Sequence, residues 1–170
     1  MALLPILTAP DKRLKLKADP VDEVSADIVK LMDDMVETMY AAPGIGLAAP
    51  QVNVLKRVIV IDVETYDGGD SHNLLTLANP EIIEQEGEIV WAEGCLSVPN
   101  FTEDVIRAER VVVHALNQDG DKVEIAAEGL LAVCMQHEID HLDGQLFIDH
   151  VSRLKRAIIL QKLKKRKKSE

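Results

Sequence analysis

The feature that most constrains this chain is residues 136–141, where His137 and His141 stand four positions apart and Glu138 follows the first of them. Side chains at this spacing lie on one face of an α-helix, so the two imidazole rings can converge on one ion. Residues 130–135 are apolar on every side, which predicts a buried helix rather than a solvated one. Buried imidazoles need partners, and a metal ion supplies one. Glu138 need not be a ligand, so it is free to accept a proton.

A catalytic metal site normally has three protein ligands and one position left open for water. The residues after the helix do not offer the third ligand. The extended motif with a third histidine has Phe147 in that position, and the only glutamate after Glu138 is Glu170. The third ligand must therefore come from earlier in the chain or from the same helix, where the candidates are Cys95, Cys134, His72 and His114.

Of these candidates, Cys95 is the one that we favour. Cys134 lies about 10 Å along the helix axis from His141, so it suits a pocket wall better than the same ion. His72 lies in a polar, loop-like stretch, and His114 follows three valines in a strand pattern. Taken alone, Cys95 would be a buried structural cysteine. Beside a two-histidine site that lacks a ligand, it predicts a Cys-His-His centre.

The remaining pattern predicts an α+β fold. A helix over residues 25–41 carries apolar residues at helical spacing, with Ser25 as its N-cap. Strand-like runs follow without intervening helices, so we expect mostly antiparallel sheets packed around a central metal-binding helix. A C-terminal helix follows Ser152, with Leu154, Ile158 and Leu163 along one side. The predicted strands are residues 57–63, 74–78, 82–89, 105–116 and 122–127, with a hairpin turn at 117–120.

Length and composition fit one domain over residues 1–170. Two cysteines without a paired framework suit a reducing compartment. The apolar opening is short and broken by Pro5, so we expect neither a signal peptide nor a membrane span, and we expect a cytoplasmic protein. The charge is uneven, because residues 153–170 hold 9 of the 19 basic residues and one acid, whereas residues 1–152 are strongly acidic.

Three segments carry a family resemblance. They are residues 44–51 (GIGLAAPQ), 93–97 (EGCLS) and 136–144 (QHEIDHLDG). In this order they resemble the segments of bacterial peptide deformylases, and the resemblance extends from the N-terminus to about residue 150. It implies hydrolysis of formyl-methionyl nascent peptides, with release of formate, at a divalent ion held by Cys95, His137 and His141. Two alternatives remain: an HExxH zinc peptidase that cuts internal peptide bonds, and a catalytically idle deformylase-like module that binds the ribosome.

The resemblance also implies roles for individual residues. Glu138 would move a proton between the attacking water and the departing amine. The Gln51 amide and the backbone N–H of Leu96 would stabilise the oxyanion. Arg107 would pair with Glu93 and hold the cysteine loop in place. The residues expected to contact the substrate are Gly44, Ile45, Gly46, Trp91, Glu93, Leu130, Val133 and Cys134.

The metal and the partners follow from the same resemblance. Thiolate and imidazole ligands suit zinc, while the resemblance implies Fe²⁺ as the working ion, with Zn²⁺, Ni²⁺ or Co²⁺ in prepared protein. The basic tail, residues 152–170, is either a solvated helix end whose lysines suit the helix dipole or a contact for ribosomal RNA. We expect a monomer without membrane contact. Thr102 stands where many members carry arginine or an aromatic residue, which leaves the preference beyond formyl-methionine open.

Overall fold

The computed structural model describes residues 2–66 and 71–169, with the backbone alone for Ser169. Its elements confirm the α+β prediction, and none of the described helices combines the length and the hydropathy of a transmembrane span. The helices are α1 (Ala26–Ala41), α2 (Gly129–Leu142) and α3 (Arg153–Ser169). The strands are β1 (Gly46–Ala48), β2 (Val58–Ile61), β3 (Leu75–Glu86), β4 (Ile89–Cys95), β5 (Val98–Arg107), β6 (Arg110–Leu116) and β7 (Lys122–Glu128).

Every strand pairing in the two described sheets is antiparallel, as predicted. The larger sheet has the strand order β1-β2-β3-β6-β7, and β4 and β5 form a separate hairpin. The predicted turn at 117–120 joins β6 to β7. Gly120 donates its N–H to the Asn117 carbonyl there, and its φ of +82° is a conformation that glycine adopts without strain.

Helix α2 lies in the middle of the fold, against β1, β2, β6 and β7. Its side chains Met135, Ile139 and Leu142 share a hydrophobic cluster with Ile59 and Val113 of the larger sheet. Burying a side chain of this size is worth about 1.5–3 kcal/mol. The sheet therefore holds α2, and the polar residues that it carries, in a fixed place.

Helix α1 begins as predicted, with Ser25 Oγ accepting a hydrogen bond from the Ile28 N–H. Its buried side packs on the opposite face of β2 from α2. Val58 and Val60 point to the α1 cluster, while the alternate residues of the strand belong to the α2 cluster. Strand β2 is therefore buried on both faces. The α1 residues with no exposed surface are Met32, Met35 and Met39.

The structure corrects one strand boundary in the middle of the chain. Residues 74–78 and 82–89, predicted as separate strands, mostly belong to the single strand β3. The register of β3 against β6 shifts beside Asn79 and Pro80, which form a bulge. Proline cannot donate to a ladder, so this position resembles a strand end in the sequence. The strand continues because Asn79 donates its N–H to the Arg57 carbonyl at 2.7 Å.

A second correction concerns residues 105–116, predicted as one strand but divided between β5 and β6. The chain turns at Ala108, and the side-chain amide of Gln136 on α2 satisfies both of its backbone groups. Ala108 donates its N–H to Oε1 at 3.0 Å, and its carbonyl accepts from Nε2 at 2.8 Å. The hairpin of β4 and β5 was not predicted, because residues 100–104 are polar except for Phe101 and so conceal its alternation.

Helix α3 is present as predicted, but of the three residues predicted along one side only Leu163 is buried. Ile159 and Leu163 pack in a cluster with Phe147, whereas Leu154 and Ile158 are 71% and 42% exposed. Both apolar stripes have helical spacing, so the sequence alone does not decide between them. The side that is buried depends on the surface that the helix packs against, which is the hydrophobic cluster behind the 3-10 helix Phe147–His150.

Candidate metal centre

The cluster of Cys95, His137 and His141 is assembled from two elements. Helix α2 carries the histidines one turn apart, with their ring centroids separated by 5.0 Å, and β4 ends at the cysteine. One ligand atom of each residue lies within 4.8 Å of the other two, and Cys95 Sγ is 3.4 Å from His141 Nε2. Both histidines are buried. The predicted Cys-His-His set is confirmed.

A tight turn places the cysteine. Cys95 pairs with Val98, so only Leu96 and Ser97 join β4 to β5. The Ser97 N–H donates to Cys95 Sγ at 3.4 Å, which helps to fix the position of the sulfur in the turn. Val98 is buried in the cluster that also contains Phe147, so the far side of the turn is anchored by packing.

Glu93, on the same strand as Cys95, orients the first histidine. Its Oε1 lies 2.8 Å from His137 Nδ1, so Nε2 is the ring atom left to bind an ion. Arg107 donates two hydrogen bonds of 2.8 and 2.9 Å to this carboxylate, which confirms the predicted ion pair. Burial raises the pKa of Glu93, but the bonds to Arg107 and His137 outweigh burial and hold the pKa at about 2. The carboxylate is therefore ionised and fully occupied by these two partners.

The electrostatics of the cluster favour a bound cation. Burial lowers the pKa of His141 well below its ordinary value, which keeps this ring in the neutral form that ligates. Burial also disfavours the charged form of His137, but the charge of Glu138 and the bonds to Cys95 and Glu93 outweigh it and raise the pKa. Positive charge is thus attracted to this point. One thiolate and two imidazoles, with a fourth side free, are a donor set that fits a catalytic divalent ion.

Glu138 lies beside the cluster, and one of its carboxyl oxygens has no hydrogen-bond partner among the described residues. Its side chain is buried, and its Oε1 finds no partner among the described residues, although it is 4.0 Å from His141 Nε2. The other oxygen rests against Gly46, where a Cβ would overlap it. Burial raises the pKa of Glu138 to about 7. A carboxyl group of this kind can both accept and donate a proton near neutral pH.

Gln51 and Leu96, the residues predicted to bind an oxyanion, both lie next to Cys95. Gln51 is buried in the 3-10 helix Ala49–Val52, and its Nε2 is 3.6 Å from Cys95 Sγ and 3.0 Å from Ser97 Oγ. Leu96 directly follows the cysteine in the turn, with its side chain against Gly44. The structure thus brings both residues to the cluster.

A cavity of about 700 Å³ opens onto Cys95, His137 and Glu138, and apolar groups form most of its surface. Tyr66 packs edge-to-face on Trp91 in its wall, with 6.0 Å between ring centroids. A cavity of this size and lining suits a small peptide or a ligand of similar volume. The predicted substrate-contact residues all border it, namely Gly44, Ile45, Gly46, Trp91, Glu93, Leu130, Val133 and Cys134, and so does Thr102.

Other walls of the cavity were not predicted. Tyr40 comes from the end of α1, Thr65 and Tyr66 follow β2, and Phe101 lies in β5. Tyr40 donates its hydroxyl to the buried carboxylate of Asp62 at 2.6 Å, which fixes the ring beside the cavity. None of these residues belongs to a motif. Tyr40 continues the helical pattern of α1, so the sequence offers no signal that separates it from ordinary packing.

The other ligand candidates lie away from the ion site or face elsewhere. His114 on β6 is 2.8 Å from Glu124, and His72 is 3.1 Å from Asp62. Cys134 Sγ faces a backbone carbonyl at 3.8 Å, and burial raises the pKa of its thiol. Within residues 2–66 and 71–169, the Cys-His-His cluster is the one group with the geometry for an ion. Cys134 therefore belongs to the cavity wall, as expected.

A thiolate and two imidazoles that face an apolar cavity, with a carboxyl group titrating near neutrality beside them, define a metal-dependent hydrolase. Comparison with known proteins identifies the family. The chain matches the sequence model described as Polypeptide deformylase over residues 3–157. It belongs to the peptide deformylase family, and it removes the N-formyl group from nascent peptides.

Similar proteins support this assignment over the full chain. The peptide deformylase of Methylocella silvestris is 56% identical over 167 residues, which are 97% of this chain and 85% of that protein. That of Thermodesulfovibrio yellowstonii is 53% identical and covers 98% and 100%. The crystal structure of peptide deformylase from Ehrlichia chaffeensis has a TM-score of 0.92 at 40% identity and covers 99% of both chains. The zinc peptidase and the idle module are therefore rejected.

Proposed function

We propose that Glu138 is the group that moves the proton in this reaction. It takes a proton from the water that attacks the formyl carbon and passes it to the departing amine. The observation that supports this most is the buried, unbonded Oε1 beside the Cys-His-His cluster. A pKa of about 7 suits transfer in both directions. A divalent ion in the cluster supplies Lewis acidity, which makes water a nucleophile near neutral pH.

Glu138→Gln tests this role, because the amide keeps the size of the side chain but cannot accept the proton. We expect the kcat of formate release from formyl-Met-Ala to fall by about 10²- to 10⁴-fold. Bound metal per chain should stay the same, since Glu138 is not a ligand. Glu84→Gln, at an exposed position of β3, is the matched control. Retention of most of the activity in Glu138→Gln would remove this residue from the mechanism.

Gln51 and Leu96 serve, in this proposal, as donors to the formyl oxygen when negative charge develops on it. The support is their position next to the cysteine, with Gln51 Nε2 3.6 Å from Cys95 Sγ and Leu96 directly after Cys95 in the turn. Losing one such donor typically costs about 10²- to 10³-fold in kcat. Gln51→Ala should show a loss of this size without a loss of bound metal.

The apolar end of the cavity is the proposed site for the substrate's methionine side chain. Ile45, Leu130, Val133 and Cys134 border it, together with Trp91, and they offer contact area without a charge. Discrimination in such a pocket comes from buried surface, at about 10- to 200-fold for each methylene group. Formyl-Ala-Ala should therefore have a kcat/KM at least about 10²-fold below that of formyl-Met-Ala. Equal values would place the methionine side chain outside this pocket.

Fe²⁺ is the working ion in this proposal, with Zn²⁺, Ni²⁺ or Co²⁺ as occupants of prepared protein. The support is the family resemblance and a donor set that accepts all four ions. Affinity alone favours nickel or zinc over iron, so purification in air should give a mixture. Metal analysis of anaerobically purified protein, paired with the formate assay, tests this. Iron should be the most abundant metal, and a fully active preparation that holds zinc alone would refute it.

The basic end of α3 is the proposed contact with the ribosome. Asp149 binds Arg156 and Lys15, which ties the helix to the body, while Lys162, Lys164 and Lys168 are exposed at its far end. Replacing these three lysines with glutamate should weaken cosedimentation with ribosomes and reduce its salt dependence, with kcat on formyl-Met-Ala unchanged. Unchanged cosedimentation would favour a helix end that only faces solvent.

The proposal also includes a single domain over residues 1–170. It acts as a monomer in the cytoplasm, where nascent peptides emerge. Sedimentation velocity should give one species with the mass of one chain, 18.8 kDa. Urea unfolding should follow one cooperative transition by circular dichroism and by fluorescence. A dimer peak or two separate transitions would contradict the corresponding part.

A further inference from the structure

The side chain of Ser97 touches the reaction centre, although the roles given so far leave it unused. Ser97 lies in the turn between β4 and β5 and has no exposed surface. Its Oγ accepts a hydrogen bond from Gln51 Nε2 at 3.0 Å. These two residues are 46 positions apart in sequence, so the contact is made by the fold and not by local geometry.

The orientation of the Gln51 amide follows from its other partner. The Ala48 N–H donates to Gln51 Oε1 at 2.9 Å, so the amide oxygen must face Ala48 and the nitrogen must face the metal centre. If the Gln51 amide were reversed, its NH₂ group would face the Ala48 N–H, and two donors would oppose each other. Of the two hydrogens on Nε2, one is taken by Ser97 Oγ. The other lies on the side of Cys95 Sγ, at 3.6 Å from the nitrogen.

Main-chain hydrogen bonds also hold Gln51 and Ser97 in place. The Leu7 N–H donates to the Gln51 carbonyl at 2.7 Å, and the Ala9 N–H donates to the Ser97 carbonyl at 2.8 Å. One short segment thus fixes the backbone of both residues. Of the glutamine side-chain torsions, the first two fall into staggered wells, whereas the last is broad in the absence of partners. Ala48 and Ser97 restrict that torsion from opposite ends.

We propose that Ser97 is a positioning residue, whose hydroxyl occupies one hydrogen of Gln51 Nε2 so that the other points to the formyl oxygen. This rests on the donor role proposed above for Gln51. Catalysis by a hydrogen-bond donor depends on its being aimed before charge develops, because a donor that must turn during the reaction loses its advantage. Without the hydroxyl, the amide keeps its anchor at Ala48 but can tilt away from the centre.

A simpler role for Ser97 would be to support the turn that carries Cys95. The two roles differ in what depends on Gln51. A residue that acts through Gln51 should matter only while the amide is present, whereas a residue that supports the thiolate should matter in both backgrounds and should lower metal retention. A double-mutant cycle separates them.

The test uses metal-loaded full-length protein in four forms: wild type, Ser97→Ala, Gln51→Ala and the double variant. Thr38→Val is the matched control, because it removes another buried hydroxyl, one that donates to the Asp34 carbonyl and is not among the residues that line the cavity. We expect Ser97→Ala to lower kcat by about 10- to 30-fold, less than full loss of the donor. In the Gln51→Ala background the same change should cost less than about twofold. KM and bound metal should match those of Thr38→Val.

Each other pattern overturns the proposal. An equal fold-loss from Ser97→Ala in both backgrounds would leave the Gln51 role intact and make Ser97 a structural residue of the turn. If Gln51→Ala itself changes kcat by less than about twofold, the donor role fails, and the positioning role fails with it. Thr38→Val with the same loss of kcat as Ser97→Ala would assign the effect to stability.

A spectroscopic readout keeps the proposal testable apart from activity. In ¹⁵N-labelled, zinc-loaded protein, the side-chain amide signal of Gln51 is the one missing from Gln51→Ala. Its hydrogen exchange should be at least about tenfold faster in Ser97→Ala than in the wild type, because one of its two protecting bonds is gone. Thr38→Val should leave it unchanged. Equal exchange in Ser97→Ala and the wild type would show that the hydroxyl does not restrain the amide.

Discussion

Gly46 leaves room for the carboxyl group of Glu138, so Gly46→Ala should displace that group. An added Cβ would lie 2.9 Å from Glu138 Cδ and 2.9 Å from Cys134 Sγ, whereas ordinary contacts of a Cβ begin at 3.4 Å. The φ angle of Gly46 is not positive, so alanine fits the backbone and the effect is steric. Both neighbours are buried on α2, which leaves the carboxyl group few directions in which to move.

The size of the effect follows from these distances. The carboxyl carbon must retreat by about 0.5 Å and its oxygen by more, and a misplacement of about 1 Å can cost about 10²-fold in rate. We therefore expect kcat for formate release to fall about 30- to 100-fold. Overpacking of a core typically costs about 1–3 kcal/mol, which is less than the stability of most domains, so the variant should remain folded.

The assay measures kcat, KM and bound metal per chain for the wild type, Gly46→Ala and Gly44→Ala. Gly44→Ala is the comparison, because its Cβ would meet the flexible end of the Leu96 side chain, which can move aside. Its loss should stay below about tenfold. A Gly46→Ala enzyme with wild-type kcat and full metal would refute the reasoning. A loss of bound metal without a fall in kcat per metal would also refute the reasoning, since that result would mean that α2 had shifted as a whole.

Three further predictions concern the surroundings of the site. Arg107→Met leaves a buried carboxylate without its cation, so urea titration should show a loss of about 3–5 kcal/mol; a loss below about 1 would contradict this. The hydrogen bonds of Asp62, with Tyr40 foremost, outweigh its burial and lower its pKa. The stability that Asp62 contributes is complete above its unfolded pKa of about 4 and is lost as the pH falls through its lower folded pKa. Asp62→Asn should therefore flatten the decline of Tm below pH 4. Parallel curves of Tm against pH for the variant and the wild type would contradict this. Cys95→Ser should lose metal on dialysis at least about tenfold more readily than Cys134→Ser, and equal losses would identify the wrong sulfur.

The metal centre could be predicted because much of its geometry is local. His137 and His141 share a helix face by spacing alone, and the apolar run before them indicates that this face is buried. Cys95 was inferred because two ligands without a third make an incomplete site. The position of Glu138 beside the ion site could be predicted from the same helical spacing. Its elevated pKa did not follow from the sequence, because it depends on burial by residues from other elements.

The errors occur where a distant residue satisfies the backbone. Asn79 continues β3 past a proline because the Arg57 carbonyl accepts its N–H, and the chain turns at Ala108 because Gln136 binds both of its backbone groups. Neither partner is near in sequence. The missed cavity residue Tyr40 and the buried side of α3 belong to the same class, because each depends on which surface a helix meets after the fold is formed.

Residues 7–9 join distant parts of the protein through main-chain groups. They donate to the carbonyls of Gln51 and Ser97, and the carbonyl of Thr8 accepts a hydrogen bond from Lys167 at 2.8 Å. The segment that supports Gln51 and Ser97 is thus held by a side chain 159 positions later in the sequence. A deformylase works on chains that are still being made. This one can form the contact between Lys167 and Thr8 only after its own synthesis has passed residue 167.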